Sequence, residues 1–376
     1  MFNLPTIKLG RFFGIPVELN PTWFIIFVLV AASLSFSTYP NDPRLQGWGT
    51  AGYLLAGILS ALLFFASIVF HELSHSLVAR AGGLQIERVT LFMFGGVAQM
   101  AEEPRTPGAE FLMAAAGPAS SFVLAGVFLA LEVVTRTLGG PSWIWGPLAY
   151  LASVNLLVAV FNLVPGFPLD GGRLLRAVLW KLTDDQLKAT HWAARSGQFI
   201  GYSMVALAVF GVLRGTLDFI WFGLIGWFIA SLADASYRRQ LAMSRLAAVT
   251  VRSAMSPNPM LAPGEITLEQ LAHDYMLGGR HTRYPVMVDG HVVGLISLSR
   301  AKAVPRERWS LVTVAEVADK ALPTLVIDAD APLESAASRL ADDTPGALLV
   351  LSEGRLVGIL TRADVVAYLS RSAPGR

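Results

Sequence analysis

Charged residues are absent from long stretches of this chain, and those gaps predict its architecture. The uncharged runs cover residues 19–41, 45–70, 111–131, 137–169, 196–213 and 219–233. A stretch of about 20 apolar residues is long enough to cross a bilayer as a helix. The pattern therefore predicts a multi-pass α-helical membrane protein with about six crossings, the last of them short and rich in aromatics. Trp23 stands near the start of the first run, where an interfacial anchor belongs. Ala116-Gly117-Pro118 interrupts the third: the glycine lets another helix approach closely, and the proline removes a helical hydrogen bond and predicts a kink. The fourth ends in NLVPGFPLDGGR, residues 162–173, where two prolines and two glycines break the helix around Asp170.

Between the second and third runs the periodicity changes. QIERVTLFMFGGVAQM, residues 85–100, has the Val, Thr and Phe content of strands, with Gly95-Gly96 at a turn, and predicts a membrane-associated β-hairpin. Unpaired backbone cannot face lipid, so this segment must be covered by protein or line a wet cavity. Two readings stay open for Gly95 and Gly96: an exposed strand edge that pairs with an extended peptide substrate, or an ordinary hairpin. The N-terminal stretch MFNLPTIKLGRFFGIPVELN lacks the apolar region and small-residue site of a cleavable signal.

Composition agrees with the periodicity. Of 376 residues 54% are hydrophobic and 15% charged, against about 25% charged in ordinary soluble domains. A net charge of +2, with no basic run interleaved with aromatics, gives no reason to expect a nucleic-acid partner. Cysteine is absent, which removes disulfides and thiolate metal ligands together. With the N-terminus inside, Arg44, Arg136 and Arg214 fall in external loops. The other lysines and arginines of the first 239 residues, from Lys8 and Arg11 to Arg238 and Arg239, fall on the cytoplasmic side.

The second apolar run leads into Phe70-His71-Glu72-Leu73-Ser74-His75. On a helix, His71 and His75 lie one turn apart on one face, so two imidazoles converge on one metal ion while Glu72 stands beside it to handle protons. Ionisable groups at that depth in a membrane segment are costly and mark function. His191, His273, His281 and His291 all lie outside the apolar runs. Asp170, bracketed by helix breakers, is the candidate third ligand, completing a His, His, carboxylate set of the kind that holds catalytic zinc. Alternatively, it caps the helix that follows.

HELSH, NLVPGFPLDGGR, the Gly95-Gly96 segment and Ala116-Gly117-Pro118 together resemble the site-2 protease family of intramembrane zinc metalloproteases, over roughly residues 9–236. The resemblance implies His71, His75 and Asp170 as ligands of one Zn2+ ion and Glu72 as general base. It also implies Asn162 near the active site as a donor to the developing oxyanion. Asn162 can equally be an interhelical hydrogen bonder, as expected for Asn155. The implied activity is hydrolysis of peptide bonds in or near transmembrane segments of membrane-anchored proteins, in the cell membrane.

From Arg238 the composition becomes that of a soluble α/β region. VGLIS at 293–297 recurs as VGILT at 357–361, and TLE at 267–269 recurs as PLE at 332–334. These stretches resemble a tandem pair of cystathionine-β-synthase-type (CBS) domains. The expected division is a membrane protease domain over 1–237, a linker over 238–247, and CBS domains over 248–305 and 306–376, the pair lying in the cytosol. Such pairs bind adenine nucleotides through a hydroxyl and a carboxylate three residues on, which Thr361 and Asp364 supply; the first repeat has Ser297 but Arg300 in place of the acid. The other reading is a structural module through which two chains form a homodimer. A rival of a different class is a CBS-regulated metal-ion transporter in which His71, His75 and Asp170 form the transport site.

Overall fold

In a computed structural model of the chain, described over residues 6–93, 95–100, 103–217, 219–276, 282–320, 322–341 and 346–371, every uncharged run contains a helix. Contacts divide the chain into two units, Met1–Arg238 and Arg239–Arg376. The first unit runs β1 (Ile7–Phe12), β2 (Ile15–Leu19), α1 (Trp23–Ser33), α2 (Gly49–Ala81), β3 (Ile86–Phe92), β4 (Gly95–Met100), α3 (Pro107–Thr137), α4 (Ser142–Asn162), α5 (Asp170–Thr183), α6 (Gln186–Leu213) and α7 (Phe219–Ala247).

Five of these helices, α2, α3, α4, α6 and α7, are long and apolar enough to cross a bilayer. The segment expected as the first crossing is shorter. Its apolar helix, Trp23–Thr38, ends in a π turn and rises about 24 Å, less than the roughly 30 Å of a hydrocarbon core. Its start is set by Asn20, whose Oδ1 accepts from Thr22 N at 3.0 Å and Thr22 Oγ1 at 2.8 Å. Side chains such as Leu55, Leu112, Val123, Leu157, Phe199 and Leu207 point outward, the surface a lipid solvent requires. α3 runs unbroken through Pro118. Asn155 makes the expected interhelical bond, from Nδ2 to Ser67 Oγ at 3.3 Å, tying α4 to α2.

The expected hairpin is part of something larger. β3 and β4 pair antiparallel, but β2 joins β3 in parallel and β1 completes a four-stranded sheet in the order β1-β2-β3-β4. Phe13 (φ 52°) and Gly14 (φ 81°) turn β1 into β2, the two positive φ values of a tight hairpin turn. The sheet lies on α2: Ile15, Val17 and Val89 bury against Leu73, and Leu19 and Leu91 against Trp23 and Phe65. This places β4 beside the HELSH turn.

In the second unit, the end of α7 precedes β5 (Ser256–Pro257), β6 (Ala262–Pro263), α8 (Leu268–Leu271), β7 (Arg283–Val288), β8 (His291–Ser297), α9 (Leu298–Lys302), α10 (Val314–Val317), α11 (Leu322–Leu325), β9 (Val326–Asp328), α12 (Leu333–Ala341), β10 (Ala347–Ser352), β11 (Arg355–Thr361) and α13 (Arg362–Arg371). The repeat seen in sequence is a repeated sheet: β6-β7-β8 in the first half and β5-β11-β10-β9 in the second. Residues 238–247, expected as a linker, form the last turns of α7, and Leu246 is buried with Val251, Leu333 and Val350. Leu333 is fully buried in this cluster. Leu333→Ala should destabilise the unit by about 3 kcal/mol, read as a lower urea midpoint for proteolysis of the full-length protein.

Candidate metal centre

The HELSH segment is helical within α2, so His71 and His75 face the same way, with ring centroids 4.9 Å apart and planes at 80°. The break after α4 brings α5 in beneath them. Asp170 is the first residue of α5, and the cap position belongs to Leu169, with no side-chain cap bond. Its carboxylate faces the histidines instead. Oδ2 lies 3.1 Å from His71 Nε2 and 3.2 Å from His75 Nε2, and the two Nε2 atoms are 3.2 Å apart. Among the described residues this is the one group of three such side chains whose ligand atoms converge.

The outer ring atoms fix what the inner ones present. His75 Nδ1 lies 2.6 Å from the carbonyl oxygen of Met113. A carbonyl only accepts, so Nδ1 carries the hydrogen and Nε2 of the neutral ring presents a lone pair. His71 Nδ1 lies 2.9 Å from Ser121 Oγ. Lone pairs aimed at a carboxylate oxygen at this range repel unless a proton or a cation sits among them. Zinc fits the space, because tetrahedral bonds of about 2.0 Å put ligand atoms about 3.3 Å apart, close to the triangle observed. The buried setting, with His71 side-chain exposure of 6% and His75 of 13%, is the outer support a metal site needs.

Glycine makes two of the close approaches here. A Cβ at Gly117 would collide with Nε2 of both histidines, and one at Gly96 would strike Cγ of Glu72. β4 thus sits directly against the Glu72 side chain at Gly96, and the Glu72 carboxylate accepts no hydrogen bond from a described residue. Asn162, the last residue of α4, is half-buried and hydrogen-bonds none of these groups. In the second unit Thr361 and Asp364 do come together. Thr361 Oγ1 donates to Asp364 Oδ2 at 2.6 Å, Thr361 N donates to the same oxygen at 2.8 Å, and Ser256 Oγ lies 3.1 Å from Oδ1. This is a helix-start box for α13. Ser297 repeats the cap at α9, while Arg300 turns to Asp319 at 3.2 Å. A cavity of about 650 Å3 in this unit opens at the other ends of these strands, near Asn258, Gly290 and Gly354, away from Thr361 and Asp364.

Ser121 and the Met113 carbonyl escaped the sequence reading; Gly117, expected to allow close helix approach, does so at the two histidines. Gly117 and Ser121, a small and a polar residue four apart on one face of α3, were the available signal.

Apolar helices around an internal His, His, Asp cluster with a free glutamate beside it define a membrane-embedded metallohydrolase. Comparison with known proteins agrees. The profile of Peptidase family M50 matches residues 59–138 and 135–207, and that of the CBS domain matches 251–303 and 314–371. A provisionally named zinc metalloprotease of Synechocystis sp., sll0528, is 36% identical over 371 residues, 98% of this chain and 96% of the relative. Rip3 of Mycobacterium tuberculosis, also provisionally named a zinc metalloprotease, is 36% identical over 96% of this chain and 92% of its own. Among solved structures, the site-2 protease from Methanocaldococcus jannaschii is 33% identical, covers 62% of this chain and 95% of that one, and superposes with a TM-score of 0.43. The chain belongs to Peptidase family M50, the site-2 proteases, and carries a tandem CBS pair at its C-terminal end. It is an intramembrane metalloprotease, and the transporter reading is not favoured.

Gly117→Ala should abolish metal binding while Gly126→Ala, where a Cβ meets no neighbour, should not. Metal content per chain after purification checks both.

Proposed function

We propose that His71, His75 and Asp170 hold one zinc ion and that Glu72 is the general base for cleavage of peptide bonds in membrane-anchored substrates. The observation that carries this reading is the triangle of three ligand atoms, 3.1–3.2 Å on each edge, inside the bundle beside the Glu72 carboxylate. Zinc in such a set acidifies a water molecule and polarises a carbonyl. Glu72 accepts the proton of the attacking water and returns it to the leaving amine as the C–N bond breaks. Asn162, at the end of α4 and ahead of the segment that delivers Asp170, serves as donor to the oxyanion once substrate is bound.

Helical backbone hides its carbonyls in hydrogen bonds, so the substrate segment must be extended before it is cut. β4 is the terminal strand of its sheet, with one side unpaired among the described strands. Gly96, the second residue of β4, adjoins Glu72, and Gly95 beside it faces open space. A substrate strand added to this edge would run its carbonyls past the metal, the geometry of strand addition.

With the short Trp23–Thr38 helix counted as a sixth crossing, the excess of Lys and Arg in alternate loops supports a cell-membrane protein with its N-terminus and CBS pair in the cytoplasm. The protease domain spans 1–237, a helical linker 238–247, and the CBS domains 248–305 and 306–376, the last also offering a surface for homodimers. Thr361 and Asp364 bind the ribose hydroxyls of an adenine nucleotide, which regulates proteolysis from the cytosol.

Glu72→Gln should abolish cleavage of a single-span substrate in reconstituted vesicles and leave zinc content at the wild-type level; cleavage by this variant would remove the base assignment. Loss of a charge-assisted bond worth about 1.5–3 kcal/mol means Asp364→Ala should weaken AMP or ATP binding about tenfold or more by calorimetry on the full chain. Equal binding by the variant would move the nucleotide elsewhere.

A further inference from the structure

One buried charge pair is unused by the chemistry above. Arg176 on α5 is 6% exposed and Glu110 on α3 is fully buried. Arg176 Nε and Nη2 both approach Glu110 Oε1 to 2.5 Å, and Nη1 lies 3.4 Å from the more exposed Glu103. The guanidinium also covers the ring of Phe167 at 5.4 Å.

The positions of these groups matter more than their charge. Glu110 stands one turn before Met113, whose carbonyl orients His75, and shares the buried face of α3 with Gly117 and Ser121. Arg176 follows Asp170 on the same short helix, and Phe167 precedes it. The pair therefore grips the Asp170 segment on both sides and fastens it to the helix that orients the histidines. Stability alone is a poor reason for such a pair. Well-packed apolar residues commonly replace a buried ion pair without loss, and here Glu110 Oε2 has no hydrogen-bond partner among the described residues.

We propose that Arg176 and Glu110 are positioning residues that hold the Asp170 carboxylate at the two imidazoles and so set the affinity of the metal site. This rests on the reading of His71, His75 and Asp170 as zinc ligands. The test uses the full-length protein in detergent: zinc affinity by competition with a fluorescent chelator, the visible absorption of the Co2+ form, and the melting temperature without metal. The double variant Glu110→Leu/Arg176→Met, which leaves no unpaired buried charge, should melt like the wild type. It should bind zinc about tenfold or more weakly, the usual cost of losing an outer support, and show a shifted Co2+ spectrum. Wild-type affinity and spectrum in that variant overturn the proposal. Should it fail to fold, Glu110→Gln decides by the same two readings, since it keeps the side-chain shape and leaves Glu103 to balance Arg176. Asp170→Ala serves as reference. Wild-type zinc affinity there sinks the ligand assignment and the clamp with it, whereas a loss there without a loss in the clamp variants sinks the clamp alone.

Discussion

Three lone-pair donors forced together inside an apolar bundle are the constraint around which the protease unit is built. His71 Nε2, His75 Nε2 and Asp170 Oδ2 stand 3.1–3.2 Å apart, an arrangement that repels itself unless a proton or a cation sits among them. The surrounding helices keep it in place. α2 supplies two donors on successive turns, the broken segment after α4 delivers the third, and α3 backs them with Met113 and Ser121 on the outer ring nitrogens and a glycine where any side chain would intrude. The four-stranded sheet packs on the same stretch of α2 and sets β4 against Glu72.

That arrangement explains why helix breakers appear where a membrane segment would otherwise continue. A straight α4 would carry Asp170 past the site. The turns over 163–169 fold the chain back on itself, with Gly171 against the Leu163 carbonyl, so that Asp170 opens α5 instead. Irregular backbone of this kind survives in a membrane protein only when protein covers it. The buried Arg176, Glu110 and Phe167 cluster is where that cover is anchored.

Much of this was legible in the residues. Each uncharged run marked a helix because lipid demands length and apolarity at once, and HELSH named its own geometry because a helix brings residues one turn apart to one side. The first crossing was overestimated, since lack of charge extends beyond the helix into Asn20 and Pro40, which do not continue it. The β1-β2 hairpin was missed: Phe13-Gly14 is a weak turn signal, and β1 is exposed throughout, without the alternation that marks a half-buried strand. The outer support of the histidines was invisible for a different reason. A backbone carbonyl such as that of Met113 has no signature in sequence. In the second unit Thr361 and Asp364, expected as ribose ligands, hydrogen-bond each other in this structure, so a nucleotide bound there must displace those bonds.

The central claim is a zinc ion held by two imidazoles and one carboxylate. X-ray absorption at the zinc edge of the purified full-length protein tests it most directly. Two imidazole nitrogens and oxygen ligands at about 2.0–2.2 Å are expected, with the signature altered in Asp170→Ala. A zinc environment without imidazole scattering, or one identical in wild type and Asp170→Ala, would contradict it.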